Sequence, residues 1–362
     1  MTVRWFLPGL VLWAACGLPG QGAVRWNDVL KQPAAWYAST EARAVADCIL
    51  QFQTESGGWP KNVDMTRPPA EEFLASTAAD HRAPTIDNGA THTQLRFLAQ
   101  VVTATGDVRY RAGFEHGFDY LLTAQYLNGG WPQFFPLIKG YYTHITYNDD
   151  AMVGVLGVLR DASEARAPCA FVDPARRARA AAAVARATVC ILRTQVWQDG
   201  KPTVWCAQHD ETTFAPAWAR NFEPPSLSGD ESVGLVRFLM GIEHPAPEVR
   251  AAIEGAVAWF RAVAITGLRI DNSPGADGKK DRHAVPDPQA PLLWARFYEL
   301  GPAGPDRNFV NRPIYVGRDR VIRHDLNEIE RERRTGYNYL GTWPARLLEQ
   351  DYPRWRAKLN LP

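Results

Sequence analysis

A ten-residue pattern that occurs twice constrains the fold of this chain more than any other feature. Residues 53–62 read QTESGGWPKN, and residues 125–134 read QYLNGGWPQF. Each copy follows a segment with helical hydrophobic spacing. Gln195 ends a third such segment, after which Gly and Pro recur without the Gly-Gly-Trp-Pro run. A helix end that returns about every 70 residues predicts stacked helical hairpins, because one hairpin cannot bury its apolar face alone.

The residues of the pattern predict how each helix ends. The paired glycines allow the positive φ with which a chain leaves a helix, and the proline prevents the helix from resuming. Trp59 and Trp131 then either cover the exposed helix end or stack on a ligand. We favour the structural role for both tryptophans.

Long segments with apolar residues at three- and four-residue intervals predict that most of the chain is helical. They cover residues 41–52, 93–105, 110–125, 150–162, 174–194, 232–242, 247–263 and 343–348. Helical hairpins arranged around an axis form an α/α toroid or partial barrel, in which loops collect on one face. Residues 265–320 are rich in Pro, Gly and Asp and predict strands and irregular loops. The predicted fold is therefore a mainly α toroid with a smaller, partly β region.

Residues 1–23 have the pattern of a secretory signal peptide, with Arg4 before an apolar run and then small residues. We therefore expect a secreted or periplasmic protein whose mature domain is residues 24–362. Cys16 also resembles a lipoprotein processing site, but Trp13 stands where a small or aliphatic residue is usual, so anchoring is not favoured. No later segment reaches the roughly 20 apolar residues of a membrane-spanning helix.

The charge balance gives no support to nucleic-acid binding, because 40 basic and 39 acidic residues leave a net charge of +1. Four cysteines follow the signal segment, and no CxxC or Cys/His spacing indicates zinc or redox chemistry. They either form two disulfides, in any of three pairings, or remain as buried thiols. These residues are Cys48, Cys169, Cys190 and Cys206.

Two polar motifs stand directly before predicted helices. TIDNGATHTQL contains Asp87 and Asn88, and THITYNDDAM contains Asn148, Asp149 and Asp150. One residue of each motif could cap its helix, but capping leaves the others without a role. Neighbouring carboxylates accumulate negative charge that a bound cation would relieve, and oxygen ligands suit calcium or magnesium.

Arginines beside aromatic residues form the second group of candidates. Trp218 and Arg220 lie in a proline-rich segment, Lys280 and Arg282 lie in GKKDRH, and Arg296 belongs to a second Trp-Ala-Arg triplet. Guanidinium groups make paired hydrogen bonds to carboxylates, while aromatic rings cover sugar faces. This combination is typical of a site for carboxylated sugars. Taken singly, each arginine could equally form an ordinary ion pair stacked on a ring.

Together these motifs resemble polysaccharide lyase family 10, the pectate lyases, over nearly the whole mature chain. The motifs that carry the resemblance are QTESGGWPKNVDM, TIDNGATHTQL, GGWPQFFP, ITYNDDAM, WARNFEPPSLSGDES, PLLWARFYEL and RTGYNYLGTWP. The resemblance implies an (α/α)3 toroid and a carbon–oxygen lyase that cleaves α-1,4-linked polygalacturonate by calcium-assisted β-elimination. The implied partner is the polygalacturonate chain, the implied cofactor is Ca²⁺, and we expect a monomer.

The resemblance also assigns roles to individual residues. Arg296 is similar to the base that removes the C5 proton, and Asp87 to an acid needed at the cleavage centre. Asp149, with Asp150 beside it, resembles a calcium ligand. The implied substrate contacts are Asn88, Asn148, Trp218, Arg220, Lys280, Arg282 and Tyr298. Because the Trp-Ala-Arg triplet occurs twice, Arg220 remains an alternative base.

An arginine base predicts an alkaline pH optimum, since its free pKa lies above about 12. Surrounding cations that depress this pKa would help the mechanism. Three other functions remain open. A glycoside hydrolase could use Asp87, Asp149 and Glu231 as acid and base, a non-catalytic carbohydrate-binding protein could retain the fold, and terpene cyclases also combine glutamine–tryptophan repeats with a helical toroid. The many charged residues argue against the last.

Overall fold

A computed structural model describes residues 24–76, 81–301 and 311–360. The expected signal peptide, with Cys16, lies outside the described residues. No helix within the described part is long and apolar enough to cross a membrane.

Helices make up nearly half of the structure. Their bounds are α1 Thr40–Phe52, α2 Glu71–Ala75, α3 His92–Thr105, α4 Val108–Ala124, α5 Ala151–Ser163, α6 Pro174–Thr194, α7 Glu231–Met240, α8 Pro247–Ala262, α9 Arg331–Gly336, α10 Trp343–Arg346 and α11 Tyr352–Lys358. A π-helical turn, Leu347–Asp351, joins α10 to α11. Short 3-10 helices are Trp26–Lys31, Ala34–Ala38, Asp87–Gly89, Tyr141–Thr143, Asn148–Asp150, Cys169–Phe171 and Leu326–Glu328.

The predicted helices are confirmed with ends within two residues, except the last. The predicted segment 343–348 is only the start of a longer helical run that continues through the π-helical turn to Lys358. Local chemistry explains the accurate ends. Asp173, for example, caps α6 by accepting a hydrogen bond from the backbone N–H of Arg176, and Pro174 occupies the first helical position.

Three helical hairpins, α3–α4, α5–α6 and α7–α8, form the toroid. The inner helices α3, α5 and α7 contact one another in turn, while the outer helices α4, α6 and α8 pack behind them. The mainly α (α/α)3 fold is therefore confirmed. One hydrophobic core extends from Val29 to Trp355.

The repeated glutamines cross-link successive outer helices. The side-chain amide of Gln53 donates to the carbonyl of Gly57 in its own turn and to that of Gly113 in α4. Gln125 donates in the same way to the carbonyls of Gly129 in its own turn and Ala183 in α6. Gln195 donates to the carbonyls of Thr203 in its own turn and Ala252 in α8. The recurrence of glutamine in all three copies of the pattern therefore has a structural cause.

The tryptophans of the pattern are structural, as we favoured. Trp59 and Trp131 are fully buried, and their indole N–H groups donate to the carbonyls of Ile49 and Leu121. Two further tryptophans that the pattern did not reveal act in the same way, because their spacing from the helix end differs. Trp205 donates to Ile191, and Trp294 donates to Phe260.

Replacement of Gly129 by alanine is expected to destabilise the protein through both backbone strain and overlap. Gly129 has a φ of 96°, and a Cβ there would lie 2.2 Å from the carbonyl oxygen of Arg186. Gly140, with a φ of 111°, has open space where its Cβ would stand, so Gly140→Ala isolates the strain, about 1–3 kcal/mol. Urea denaturation should show that Gly129→Ala lowers the free energy of unfolding by at least about 2 kcal/mol more than Gly140→Ala does. Equal losses would contradict this.

His92 predicts a loss of stability in acid. Its Nε2 is buried without a hydrogen-bond partner in the described residues, and burial, aided by Arg96, lowers the pKa of His92 from 6.5 to about 4. The unfolded chain therefore binds a proton more readily, and stability falls as the pH falls from about 6.5 to about 4. The full loss of unfolding free energy from His92 is on the order of 3 kcal/mol. His92→Gln should reduce the dependence of unfolding free energy on pH over this interval, and His209, whose pKa burial also lowers to about 4, should supply the remainder. An unchanged slope would exclude His92 as a source.

Residues 265–320 form short strands and loops, as predicted. The strands of the whole chain are β1 Ile145–Thr146, β2 Trp197–Gln198, β3 Lys201–Pro202, β4 Gln208–His209, β5 Leu227–Ser228, β6 Leu268–Asp271, β7 His283–Pro286, β8 Trp294–Ala295, β9 Phe297–Tyr298, β10 Tyr315–Val316, β11 Ile322–Arg323 and β12 Leu340–Gly341. They pair antiparallel as β1–β4, β2–β3, β5–β9, β6–β7, β8–β12 and β10–β11. Because β9 pairs with β5, Arg296 lies next to the loop that begins α7.

The four cysteines are buried free thiols. Of the two alternatives that the sequence left open, the structure therefore has buried thiols and no disulfide between these cysteines.

Candidate active site

The first turns of the three inner helices meet at one end of the toroid, and polar motifs precede each of them. The 3-10 turns Asp87–Gly89 and Asn148–Asp150 lie before α3 and α5, and Asp230 lies before α7. Asn88 and Asp149 occupy equivalent positions in the two turns, with φ of 50° and 51°. Positive φ is uncommon outside glycine and clusters at functional sites.

Helix capping does not explain these residues. Thr91, Asp150 and Asp230 stand at the N-cap positions of α3, α5 and α7, and none of their side chains makes a capping hydrogen bond. The polar groups at this end of the toroid are therefore available for other contacts.

Asp87 is a buried anion held by three donors. It is 3% exposed and accepts hydrogen bonds from Lys61 at 2.7 Å, from the amide of Gln133 at 2.6 Å and from the amide of Asn148 at 3.0 Å. The Lys61 ammonium neutralises the carboxylate. Gln208 in turn donates to the side-chain oxygen of Asn148 at 2.9 Å, which fixes the orientation of this amide.

Arg296 lies among carboxylates from two inner helices. Its guanidinium forms ion pairs with Asp230 and, at 3.1 Å, with Glu231, and approaches Asp149 at 4.0 Å. It also donates to the hydroxyl of Tyr337 at 3.0 Å. The residue is 9% exposed, so it can reach a ligand while most of its side chain is fixed by the protein.

The electrostatics of Arg296 differ from the expectation. Burial lowers the pKa of its guanidinium, but Glu231, Tyr337 and Asp230 more than offset this, and the pKa is raised. The expectation that surrounding cations depress the pKa of the base is therefore wrong for the protein alone, because the charged groups that contact Arg296 among the described residues are anions. Burial also raises the pKa of Glu231 to about 7, against the lowering effect of Arg296.

The acids around Arg296 favour a bound cation by their charge, although within the described residues no three of them have ligand atoms within 4.8 Å of one another. Asp149, Asp230 and Glu231 contact the guanidinium of Arg296, while Arg237 acts on Asp150 more strongly than Arg296 does. The carboxylates therefore still outnumber the cations. Burial raises the pKa of Asp230 and of Asp150, and neighbouring carboxylates add to both shifts. Asp150 is also held close to α7, where its carboxylate oxygen occupies the space that a side chain at Gly234 would need. An all-oxygen set of this kind suits calcium.

A different group has metal-ligand spacing elsewhere. One ligand atom each of His144, Asp210 and Glu211 lie within 4.8 Å of one another. Asp210 accepts from the backbone N–H groups of Thr212 and Thr213, which accounts for one of its oxygens without an ion. The imidazole makes this set less suited to calcium than the carboxylates beside Arg296.

A chain of contacts connects the arginines of the two Trp-Ala-Arg triplets. Tyr337 accepts from Arg296 and donates to Glu223 at 2.8 Å. Glu223 accepts two hydrogen bonds from Arg220, at 2.9 and 2.5 Å. Arg282 donates to the backbone carbonyl of Tyr337 at 3.1 Å. The three arginines therefore converge around one tyrosine. Of the two arginines in Trp-Ala-Arg triplets, Arg220 has the more exposed side chain, at 46%, against 11% for Arg296.

The remaining predicted site residues divide into two groups. Asn88, Trp218 and Lys280 are at least partly exposed; Asn88 donates to Asn62, and the ring of Trp218 lies 4.8 Å from the guanidinium of Arg320. The prediction that Tyr298 contacts substrate is corrected. Tyr298 is fully buried, and its hydroxyl donates to the carbonyl of Val263 and accepts from the N–H of Ala295.

Several residues of the site were not identified from the sequence. They are Lys61, Gln133, Gln208, Glu223, Asp230 and Tyr337. A signal for one of them was present: SGDES precedes α7 as NDD precedes α5, so the equivalent helix start could have indicated Asp230. Lys61 and Tyr337 are brought in by loops and gave no such signal.

Comparison with known proteins decides the family. A sequence profile of the pectic acid lyases matches residues 53–348. The chain belongs to the pectic acid lyase family. No curated protein matched it.

Two solved structures are similar to this pectic acid lyase family member. One is an aspartate-to-alanine mutant of a family 10 polysaccharide lyase from Cellvibrio cellulosa in complex with trigalacturonic acid; it is 33% identical over 89% of this chain and 95% of that chain, with a TM-score of 0.74. The other is a family 10 polysaccharide lyase from Cellvibrio cellulosa, 32% identical over 92% of this chain and 95% of that chain, with a TM-score of 0.75. The resemblance stated from the motifs is confirmed.

Proposed function

We propose that this protein is a pectate lyase that cleaves α-1,4-linked polygalacturonate by calcium-assisted β-elimination. The observation that carries the proposal is the position of Arg296, a nearly buried arginine among carboxylates at the helix starts of a family member. A neighbour's complex with trigalacturonic acid supports the choice of substrate. The expected export and monomeric state remain predictions, and the lyase family is consistent with action outside the cell.

The reaction removes the C5 proton of a galacturonate and breaks the bond from C4 to the glycosidic oxygen. Neutral Arg296 accepts the proton, and the electron pair of the C5–H bond becomes the C4=C5 double bond. The electron pair of the C4–O bond leaves with the glycosidic oxygen, which takes a proton from water. Asp230, Glu231 and Tyr337 fix the guanidinium of Arg296 in one orientation, which suits it to this role, but they also raise its pKa and so favour its protonated form. Positioning of the base is itself a large part of catalysis.

Negative charge that builds on the galacturonate carboxylate must be stabilised for the proton to leave. A bound Ca²⁺ would supply this stabilisation, with Asp149, Asp150 and Asp230 as the residues that would hold it. In this proposal Arg220 and Arg282, which both contact Tyr337, pair with substrate carboxylates. Asn88, Asn148, Trp218 and Lys280 complete the proposed contacts, and Asp87 holds Asn148 in place.

An alkaline optimum is expected, since a neutral guanidine is rare well below its ordinary pKa of above about 12. The test measures ultraviolet absorbance of the 4,5-unsaturated product from polygalacturonate across pH, with calcium and with a chelator. A calcium-dependent rise that increases above neutral pH supports the proposal. A maximum in acid, with loss of activity above neutrality, would contradict it.

Glu231 gives one reason to test a hydrolase as well. A buried carboxyl with a pKa of about 7 has the property of a general acid. A hydrolase would release reducing ends without ultraviolet absorbance, whereas the lyase produces both in step. In the proposed lyase, Glu231 instead positions Arg296.

A further inference from the structure

A basic groove lies at the opposite end of α7 from the candidate active site. α7 begins at Glu231, beside Arg296, and ends at Met240 on the wall of the groove, about 15 Å away along the helix. The groove has a volume of about 580 Å³, within the usual size range for ligand sites. Its charged lining residues are Arg237, Arg346, Arg354, Lys358 and Asp351.

The groove has a local excess of positive charge that the whole chain does not have. Asp351 accepts from Arg237 at 2.8 Å and lies 3.7 Å from Arg346, so one carboxylate serves two cations. Arg354 and Lys358 are exposed and make no ion pair with any carboxylate in the described ranges. Four cations and one anion stand together in a protein of net charge +1. Such concentration of one sign attracts a ligand of the opposite sign.

The helical run that carries these cations is irregular at the groove. The π-helical turn Leu347–Asp351 inserts one extra residue before α11, which rotates the following side chains by about 100° relative to a regular helix. π-helical turns are rare and often mark functional sites. Arg354 and Lys358 stand four residues apart on α11 and therefore lie on the same face.

Trp355 adds an unpaired hydrogen-bond donor to the groove. It lines the groove, is 5% exposed, and its indole N–H has no acceptor in the described part of the chain. A buried donor without a partner costs free energy. Since this nitrogen is closed to solvent, it marks a strained packing site beneath the groove, and the exposed cations provide the contacts for a ligand.

We propose that the groove is a second binding site for anionic polysaccharide, which takes uronate carboxylates at Arg354, Lys358 and their neighbours. The identity of the ligand rests on the function proposed above, because polygalacturonate carries one carboxylate on each sugar. Arginine and lysine match that chemistry. A chain long enough to pass from the groove to the active site would have a raised effective concentration at the active site. A trisaccharide in the active site is too short to reach the groove.

The test compares Arg354→Gln/Lys358→Gln with Arg43→Gln/Lys201→Gln. The control pair removes the same charge from exposed positions outside the groove. At low ionic strength the groove variant should have a KM for polygalacturonate roughly five- to tenfold above that of wild type. Its kcat/KM for trigalacturonate should be unchanged. In high salt its KM for polygalacturonate should return to that of wild type. The control variant should match wild type on both substrates. Equal KM values for the two variants would overturn the proposal.

Native electrophoresis through gels that contain polygalacturonate gives a readout independent of catalysis. The groove variant should be retarded less than the control variant, even if neither protein forms an unsaturated product, so failure of the lyase proposal and failure of the groove proposal are distinguishable. Gels with polyphosphate or with a neutral polysaccharide should not separate the variants. The same loss of retardation on polyphosphate would overturn the assignment to uronates, because it would show a site for any polyanion.

Discussion

Replacement of Arg296 is expected to abolish most of the activity of the protein. Arg296→Lys keeps the positive charge that Glu231 and Asp230 require, but it loses the planar guanidinium that contacts Tyr337. It should lower kcat on polygalacturonate by at least about 10²-fold, the usual contribution of a positioned base. Arg296→Ala should lower kcat further, by about 10³-fold or more, since it also removes charge stabilisation. Both are measured by ultraviolet absorbance of the unsaturated product.

The matched control for Arg296 is the arginine of the other Trp-Ala-Arg triplet. Arg220 is more exposed and is held by Glu223, so Arg220→Lys and Arg220→Ala should mainly raise KM, with kcat lowered less than about tenfold if Arg220 only binds substrate. Because Arg296→Ala leaves the carboxylates of Asp230 and Glu231 without their cation, its thermal unfolding must be measured too. Large loss of kcat in folded Arg220→Lys, with near-normal Arg296→Lys, would exchange the two roles.

Hydrophobic spacing was sufficient to predict the helices of the toroid, because each inner and outer helix buries one apolar stripe. The glutamine–glycine pattern predicted the hairpin repeat because it marks helix ends. Gln53 and Gln125 can reach the next outer helix only from such an end. Trp205 and Trp294 repeat the contact but escaped detection, since the loops before them have different lengths. A contact that is defined in space can persist after its sequence spacing is lost.

The candidate site was predicted best where it depends on local sequence. Asp87, Asn148 and Asp149 stand at helix starts, where excess polar residues are visible. The environment of Arg296 was not predictable in that way, because Asp230 and Glu231 come from α7 and Tyr337 from a loop that follows α9. The resemblance placed Tyr298 at the substrate, yet both residues of β9 are buried, and the hydroxyl of Tyr298 donates to the backbone of Val263 in the core.

Asp149→Asn provides the sharpest test of the proposed calcium site. Asparagine tolerates the positive φ of Asp149 and keeps one side-chain oxygen, so the backbone turn should survive while one negative charge is lost. The calcium concentration for half-maximal activity should rise about 10- to 100-fold, as expected when a site loses a charged ligand worth roughly 1.4–2.8 kcal/mol. Activity at low calcium should fall accordingly and recover in part at high calcium.

Asp199→Asn is the control for that substitution, because Asp199 is also an exposed aspartate with a positive φ, of 48°, and lies in a different turn. Its calcium dependence should stay within about twofold of wild type. Thermal unfolding supplies a readout without substrate: calcium should raise the Tm of wild type and of Asp199→Asn, and raise that of Asp149→Asn only at higher concentrations. If the three proteins respond to calcium alike in both assays, Asp149 is not a calcium ligand, and the carboxylates around Arg296 serve to fix the base.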